Sequence, residues 1–168
     1  LTADFTDIEW PLTTILAVAM IMGGLLVPVM FDLVFFRILR SRFLLWHCVV
    51  VIGMILQTAV TTGLVVAAFP MPPEWLPFIY PMSLAISVAA AAMFAADFFE
   101  DDKITPRTKF LLRLTGVFIL LFSTIYALKP PGTRGFAVEL YYGCFIPVIA
   151  ILAYAMVQAI RRGSRAAW

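Results

Sequence analysis

Five long apolar stretches, separated by short breaks of charged residues or of proline and glycine, constrain this sequence more than any other feature. A helix needs about 20 mainly apolar residues to cross the hydrocarbon core of a bilayer. Stretches of that order cover residues 11–36, 44–69, 78–96, 110–128 and 137–160. The sequence therefore predicts an all-α integral membrane bundle of five transmembrane helices, organised as a single transmembrane domain over residues 1–168.

The composition supports a membrane environment. Hydrophobic residues make up 63% of the chain and charged residues only 13%, whereas soluble domains carry about 25% charged residues. A soluble core of 168 residues could not hide so much apolar surface, so we expect the lipid bilayer to cover it. The net charge of +2, without a basic stripe in the sequence, argues against a nucleic-acid partner.

The lysines and arginines predict the orientation of the helices. If there are five spans, ten of these residues lie on one side of the membrane and two, Lys129 and Arg134, lie on the other. The ten are Arg37, Arg40, Arg42, Lys103, Arg107, Lys109, Arg113, Arg161, Arg162 and Arg165. Loops rich in lysine and arginine stay in the cytoplasm. We therefore expect the N-terminus outside and the C-terminus in the cytoplasm.

A threonine-proline pair predicts where the fourth helix begins. Thr105 suits an N-cap, and Pro106 suits the first helical position, where its missing amide hydrogen costs nothing. We expect the helix to begin near Pro106, before the membrane proper.

The first residue is Leu1 instead of methionine, and we expect the chain to be processed, trimmed or part of a longer gene product. The first apolar stretch differs from a signal peptide because acidic residues precede it and because it is too long.

Asp32 and His47 are the ionisable residues most open to a functional interpretation. Asp32 is the only acidic residue well inside a predicted span, and His47 is the only histidine. They lie symmetrically about the centre of the first break, so an antiparallel hairpin should bring them to a similar depth. One interpretation is a proton-sensitive latch between helices one and two. The interpretation that we favour is structural, with Asp32 near the cytoplasmic interface and bonded to an arginine of the first loop.

Two further groups of residues are candidates for packing or binding. Gln57 and Thr61 lie one turn apart in helix two and could line a small pocket, but we favour hydrogen bonds between helices. A stripe of small residues recurs every fourth position along helix three, at Ser83, Ser87, Ala91 and Ala95. Such a stripe lets another helix approach closely. Helix three should be the most buried helix, or else an interface to other membrane subunits or to a homodimer partner.

The sequence lacks the usual signatures of an enzyme or a cofactor protein. A membrane haem b normally takes two histidine ligands, and this chain has one histidine. There is no HExxH, no nucleophile elbow and no glycine-rich phosphate loop. We expect no catalytic residue, no metal and no cofactor within these residues.

Several segments resemble a known family. Residues 23–26 (GGLL), 30–36 (MFDLVFF) and 39–47 (LRSRFLLWH) resemble the first membrane hairpin of bacterial seven-transmembrane receptors with diverse intracellular signalling modules. Residues 62–64 resemble the end of the second helix of that family. Residues 94–99 resemble the exit of its third helix, and residues 161–167 resemble the basic loop before its sixth. The family often has Tyr-Asn where this chain has Phe31-Asp32.

The resemblance implies the sensor portion of a bacterial signalling protein in the inner membrane. Members of the family have seven spans and carry a cytoplasmic output domain, often a diguanylate cyclase or a histidine kinase. This sequence has five spans and no such domain, so the resemblance implies that any catalytic activity lies beyond these residues. The alternative is a small accessory subunit of a respiratory or photosynthetic membrane complex. A half-transporter that works as a dimer is a weaker alternative, because polar residues within the spans are few.

Overall fold

A computed structural model describes residues 12–68, 72–128 and 136–164, and within these ranges the chain forms helices and no strands. The α-helices are α1 (Leu12–Leu39), α2 (Arg42–Thr61), α3 (Leu64–Ala68), α4 (Leu76–Phe98), α5 (Pro106–Leu128), α6 (Ala137–Gly143) and α7 (Phe145–Arg161). A 3₁₀ turn at Pro73–Trp75 precedes α4.

Five helical segments among the described residues are long and apolar enough to cross a membrane. They are Leu16–Leu39, Arg42–Thr61, Leu76–Phe98, Pro106–Leu128 and Ala137–Arg161. For the described residues, the prediction of an all-helical protein with five helices long and apolar enough to cross a membrane is thus confirmed. The predicted orientation and the single domain over residues 1–168 remain predictions.

The second span is shorter than predicted. The sequence placed it over residues 44–69, but α2 ends at Thr61, and α3 follows after Thr62 and Gly63. Gly63 has φ +73°, a left-handed conformation that ends helices and that glycine adopts without steric cost. Its amide donates to the Val60 carbonyl at 3.2 Å, which satisfies one free acceptor at the helix end.

The last span is interrupted near its start. The helix predicted over residues 137–160 divides into α6 and α7 at Cys144. Pro147 explains the interruption, because it has no amide hydrogen to donate to the Gly143 carbonyl and its ring crowds that carbonyl.

The start of the fourth span agrees with the prediction. α5 begins at Pro106, and the Thr108 amide donates to the Thr105 hydroxyl at 3.3 Å, as in an N-cap.

α4 is the centre of the bundle. In its most apolar 18-residue window 44% of the residues are buried, against 28% or less in the other spans. α2 and α5 pack on α4, whereas α1 packs chiefly on α2, and the last span packs chiefly on α5. Each span therefore makes its main contacts with a span that is next to it in the sequence.

The small residues of α4 explain its central place. A Cβ atom on Gly53 of α2 would lie 2.2 Å from the Ser87 hydroxyl, and one on Gly116 of α5 would lie 3.3 Å from the Ala89 carbonyl oxygen. The backbones of α2 and α5 thus closely approach α4 from two sides. Within the predicted stripe Ser83, Ser87 and Ala95 are buried, and Ala91 is partly buried.

Candidate functional site

Interhelical polar contacts gather at one end of the bundle, which we call the charged end. It comprises Arg40 and Ser41 between α1 and α2, residues 99–105 between α4 and α5, and residues 162–164 after α7. Arg40 has φ +50°, and its amide donates to the Phe36 carbonyl at 2.8 Å. The resulting turn between α1 and α2 is very short, so the two helices form a tight antiparallel hairpin.

The hairpin brings Asp32 and His47 into contact. The His47 Nδ1 atom hydrogen-bonds to the Asp32 Oδ2 atom, and the Asp32 side chain is 14% exposed. The His47 ring also packs on Phe94 of α4, with 5.6 Å between ring centroids. In the described part of the chain Asp32 contacts His47 instead of the loop arginine that we favoured. A switching role for this pair remains a prediction.

A second polar contact joins three helices through Asp97. The Trp46 Nε1 atom of α2 donates to Asp97 Oδ2 of α4 at 3.1 Å, and the Arg113 guanidinium of α5 donates to Asp97 Oδ1 at 2.8 Å. Both carboxylate oxygens are thus engaged. This contact was not predicted, because Asp97 lies in a break between two predicted spans. Asp97 and Arg113 lie symmetrically about Thr105, so an antiparallel hairpin brings them to a similar depth, as it does Asp32 and His47.

A third set of contacts joins the end of the last span to the start of α5 and to the loop before it. The Gln158 Oε1 atom of α7 accepts hydrogen bonds from the Thr105 amide at 3.1 Å and from the Thr108 hydroxyl at 3.0 Å. The buried Ser164 hydroxyl donates to Glu100 at 2.8 Å. The role of Gln158 was not predicted from the sequence, where the available signal is a single side-chain amide in a largely apolar helix.

A cleft of about 570 Å³ opens at the charged end. Residues 41–43 at the start of α2 form one part of its lining, and the rest carries the carboxylates of Asp97 and Asp101 and the cations of Lys109 and Arg113. Lys109 pairs with Asp101, and this hydrogen bond lowers the pKa of the Asp101 carboxyl below its ordinary value. Asp101 is therefore ionised at neutral pH.

Of the two polar residues predicted in α2, Gln57 and Thr61, only Gln57 has a described side-chain hydrogen bond to another helix. The Ser83 hydroxyl of α4 donates to the Gln57 side-chain oxygen. The Thr61 hydroxyl instead bonds to carbonyls of its own helix, at 2.9 Å to Gln57 and 3.0 Å to Thr58. The hydrogen bond between Gln57 and Ser83 thus holds α2 against α4, and Thr61 does not contribute to this contact.

A comparison with protein families gives a match that covers most of the chain. The family model described as 7TM diverse intracellular signalling matches residues 14–168. The chain belongs to this family. The resemblance seen in the sequence is thus confirmed. Membership of the 7TM diverse intracellular signalling family indicates the membrane sensor portion of a receptor and a multi-pass membrane protein. No similar protein was found among curated proteins or among solved structures.

Proposed function

We propose that this chain is the membrane-embedded sensor and transducer of a bacterial signalling protein and that it relays a signal to a cytoplasmic output module. In this proposal the chain lies in the inner membrane with the charged end in the cytoplasm. The excess of lysine and arginine at that end supports the orientation. Membership of the family favours a receptor over an accessory subunit.

The observation that carries the proposal is a series of polar contacts across the charged end that involves all five spans. Asp32 and His47 join α1 to α2, and Asp97 joins α2, α4 and α5. Gln158 then joins α5 to α7. Because hydrogen bonds require defined geometry, a shift of one helix must break or rearrange contacts with the next. Such contacts favour discrete packing arrangements over continuous deformation.

The proposed mechanism is a population shift between two packings of the bundle. A signal that binds one packing more tightly increases the population of that packing. In the second packing the contacts of Gln158 and Ser164 with α5 and the loop before it would be broken or exchanged, and the end of α7 would move. That movement would reach an output module attached beyond α7.

The Asp32–His47 pair is the proposed latch at the other end of the series. A protonated imidazole would form an ion pair with the carboxylate, which is a stronger contact than the hydrogen bond of a neutral ring. Protonation of the pair would therefore hold α1 and α2 more tightly in the packing described here.

The relay can be tested with Gln158→Ala in the full-length receptor, with the output activity of its module as the readout. We expect the variant to alter the basal output and to weaken its response, because α7 loses two hydrogen bonds to α5 and the residue before it. The matched control is Val157→Ala, which changes an exposed neighbour on the same helix. Normal output from Gln158→Ala at normal protein levels would contradict the relay, as would an equal effect of the control.

A further inference from the structure

The cleft at the charged end has a lining suited to an anionic group. It carries three cations, on Arg42, Lys109 and Arg113, and two carboxylates, on Asp97 and Asp101. Each carboxylate is paired with a cation, Asp97 with Arg113 and Asp101 with Lys109. In the described residues no hydrogen bond or ion pair of the Arg42 side chain is seen, so the lining has an excess of one positive charge, at Arg42.

The paired cations keep donors for a ligand. A guanidinium has five N–H donors in a planar fork, and the Arg113 side chain is 57% exposed, with one described hydrogen bond, to Asp97. An ammonium has three donors, and Lys109 uses two, for Asp101 and for the Phe99 carbonyl. Arginine forks match the geometry of phosphate oxygens, and lysine binds phosphate as a point charge.

The depth of the cleft in the membrane follows from Trp46. Trp46 lies one turn along α2 from Arg42, and its indole bonds to Asp97, which lines the cleft. Tryptophan rings at helix ends lie at the level of the lipid headgroups. Arg42 therefore lies on the aqueous side of that level, where headgroup phosphates are found. Phe43 adds an apolar side chain to the lining, which suits the first methylenes of a lipid acyl chain.

We propose that this cleft binds a phosphate group, with Arg42 as the principal contact and with Lys109 and Arg113 as supporting donors. Basic pockets between transmembrane helices are suited to anionic headgroups. The volume of about 570 Å³ exceeds the size of one phosphate, so it can accept a phosphoglycerol headgroup as well as the free anion. Because the cleft adjoins α2, α4 and α5, a bound phosphate would bridge three spans.

The experiment uses the full chain purified in mild detergent and has two arms. In the first, native mass spectrometry compares retention of phosphatidylglycerol with that of diacylglycerol carrying the same acyl chains. In the second, the thermal stability of the chain is followed in sodium phosphate and in sodium chloride of equal ionic strength. The first arm reports a lipid headgroup and the second reports free phosphate.

The decisive variant is Arg42→Gln, with Arg107→Gln as the matched control. Arg107 lies in the first turn of α5, is exposed, and does not line the cleft, so its replacement removes the same charge from the same end. We expect Arg42→Gln to weaken binding about tenfold in the arm where the wild type binds, as the loss of a charge-assisted hydrogen bond would. We expect Arg107→Gln to bind like the wild type. We expect Lys109→Gln to weaken binding as well, because it removes another cation from the lining.

Each outcome decides the proposal. Binding in either arm that depends on Arg42 and not on Arg107 supports it and names the source of the phosphate. Equal losses in the two arginine variants would overturn it, because they would report only the net charge of this end. Absence of binding by the wild type in both arms would also overturn it.

Discussion

At the scale of single residues, the contact between Asp32 and His47 joins two helices that also meet through buried apolar side chains such as Val29 and Val51. Hydrogen bonds between transmembrane helices contribute about 0.6 kcal/mol on average and at most about 2 kcal/mol. The contribution of this pair is therefore a quantity to measure.

A double-mutant cycle with Asp32→Asn and His47→Gln measures it. We expect a coupling free energy of about 1 kcal/mol at neutral pH from unfolding in mild detergent. A coupling of zero would contradict the proposed latch.

Residue-level contacts were predictable only where two residues share one hairpin. Asp32 and His47 are 15 residues apart, and the short turn between them fixed their relative depth. Gln158 and Thr105 are 53 residues apart. Their contact depends on how the last span packs against α5, and no local pattern in the sequence specifies that packing.

At the scale of elements, close packing against α4 makes a prediction about two glycines. We expect Gly53→Ala to lower the free energy of unfolding by about 1–3 kcal/mol, because the added methyl group overlaps the Ser87 hydroxyl and nears the Ser83 carbonyl. Thermal unfolding in mild detergent would measure the loss. Combining it with Ser87→Ala should restore part of the stability, since the nearest obstructing atom is then removed.

Gly23→Ala in α1 is the control for that prediction. Nothing lies within 4 Å of a Cβ built there, so we expect no loss and a gain of up to about 1 kcal/mol from the higher helix propensity of alanine. Equal losses at both glycines would show that the stability lost in Gly53→Ala does not come from the close approach of α2 to α4.

The existence of the spans was easier to predict than their ends. Apolar length alone gave five helices, because a span must satisfy its own backbone hydrogen bonds in lipid. The helix breaks at Gly63 and at Cys144 were missed, since both fall inside runs of apolar residues. Gly63 and Pro147 were visible signals, but glycine and proline are often tolerated inside continuous membrane helices, so neither residue alone dictates a break.

At the scale of the whole molecule, the distribution of lysine and arginine predicts the topology. We expect a fluorescent protein fused after Trp168 to fluoresce and a periplasmic phosphatase fused at the same place to be inactive, because the charged end should face the cytoplasm. An inactive fluorescent protein and an active phosphatase would show the opposite orientation. The Arg42 cleft would then lie at the outer surface, and the proposed route to a cytoplasmic module would be lost.

The order in which the spans pack has a consequence for biosynthesis. Membrane helices enter the bilayer in the order in which the ribosome makes them. α1 and α2 can pair as soon as both have been made, α4 can then pack on α2, and α5 on α4. Contacts between neighbours in the sequence need little loop closure, and they favour rapid assembly. A nascent chain halted after α4 should therefore already contain the packed interface that later receives α5.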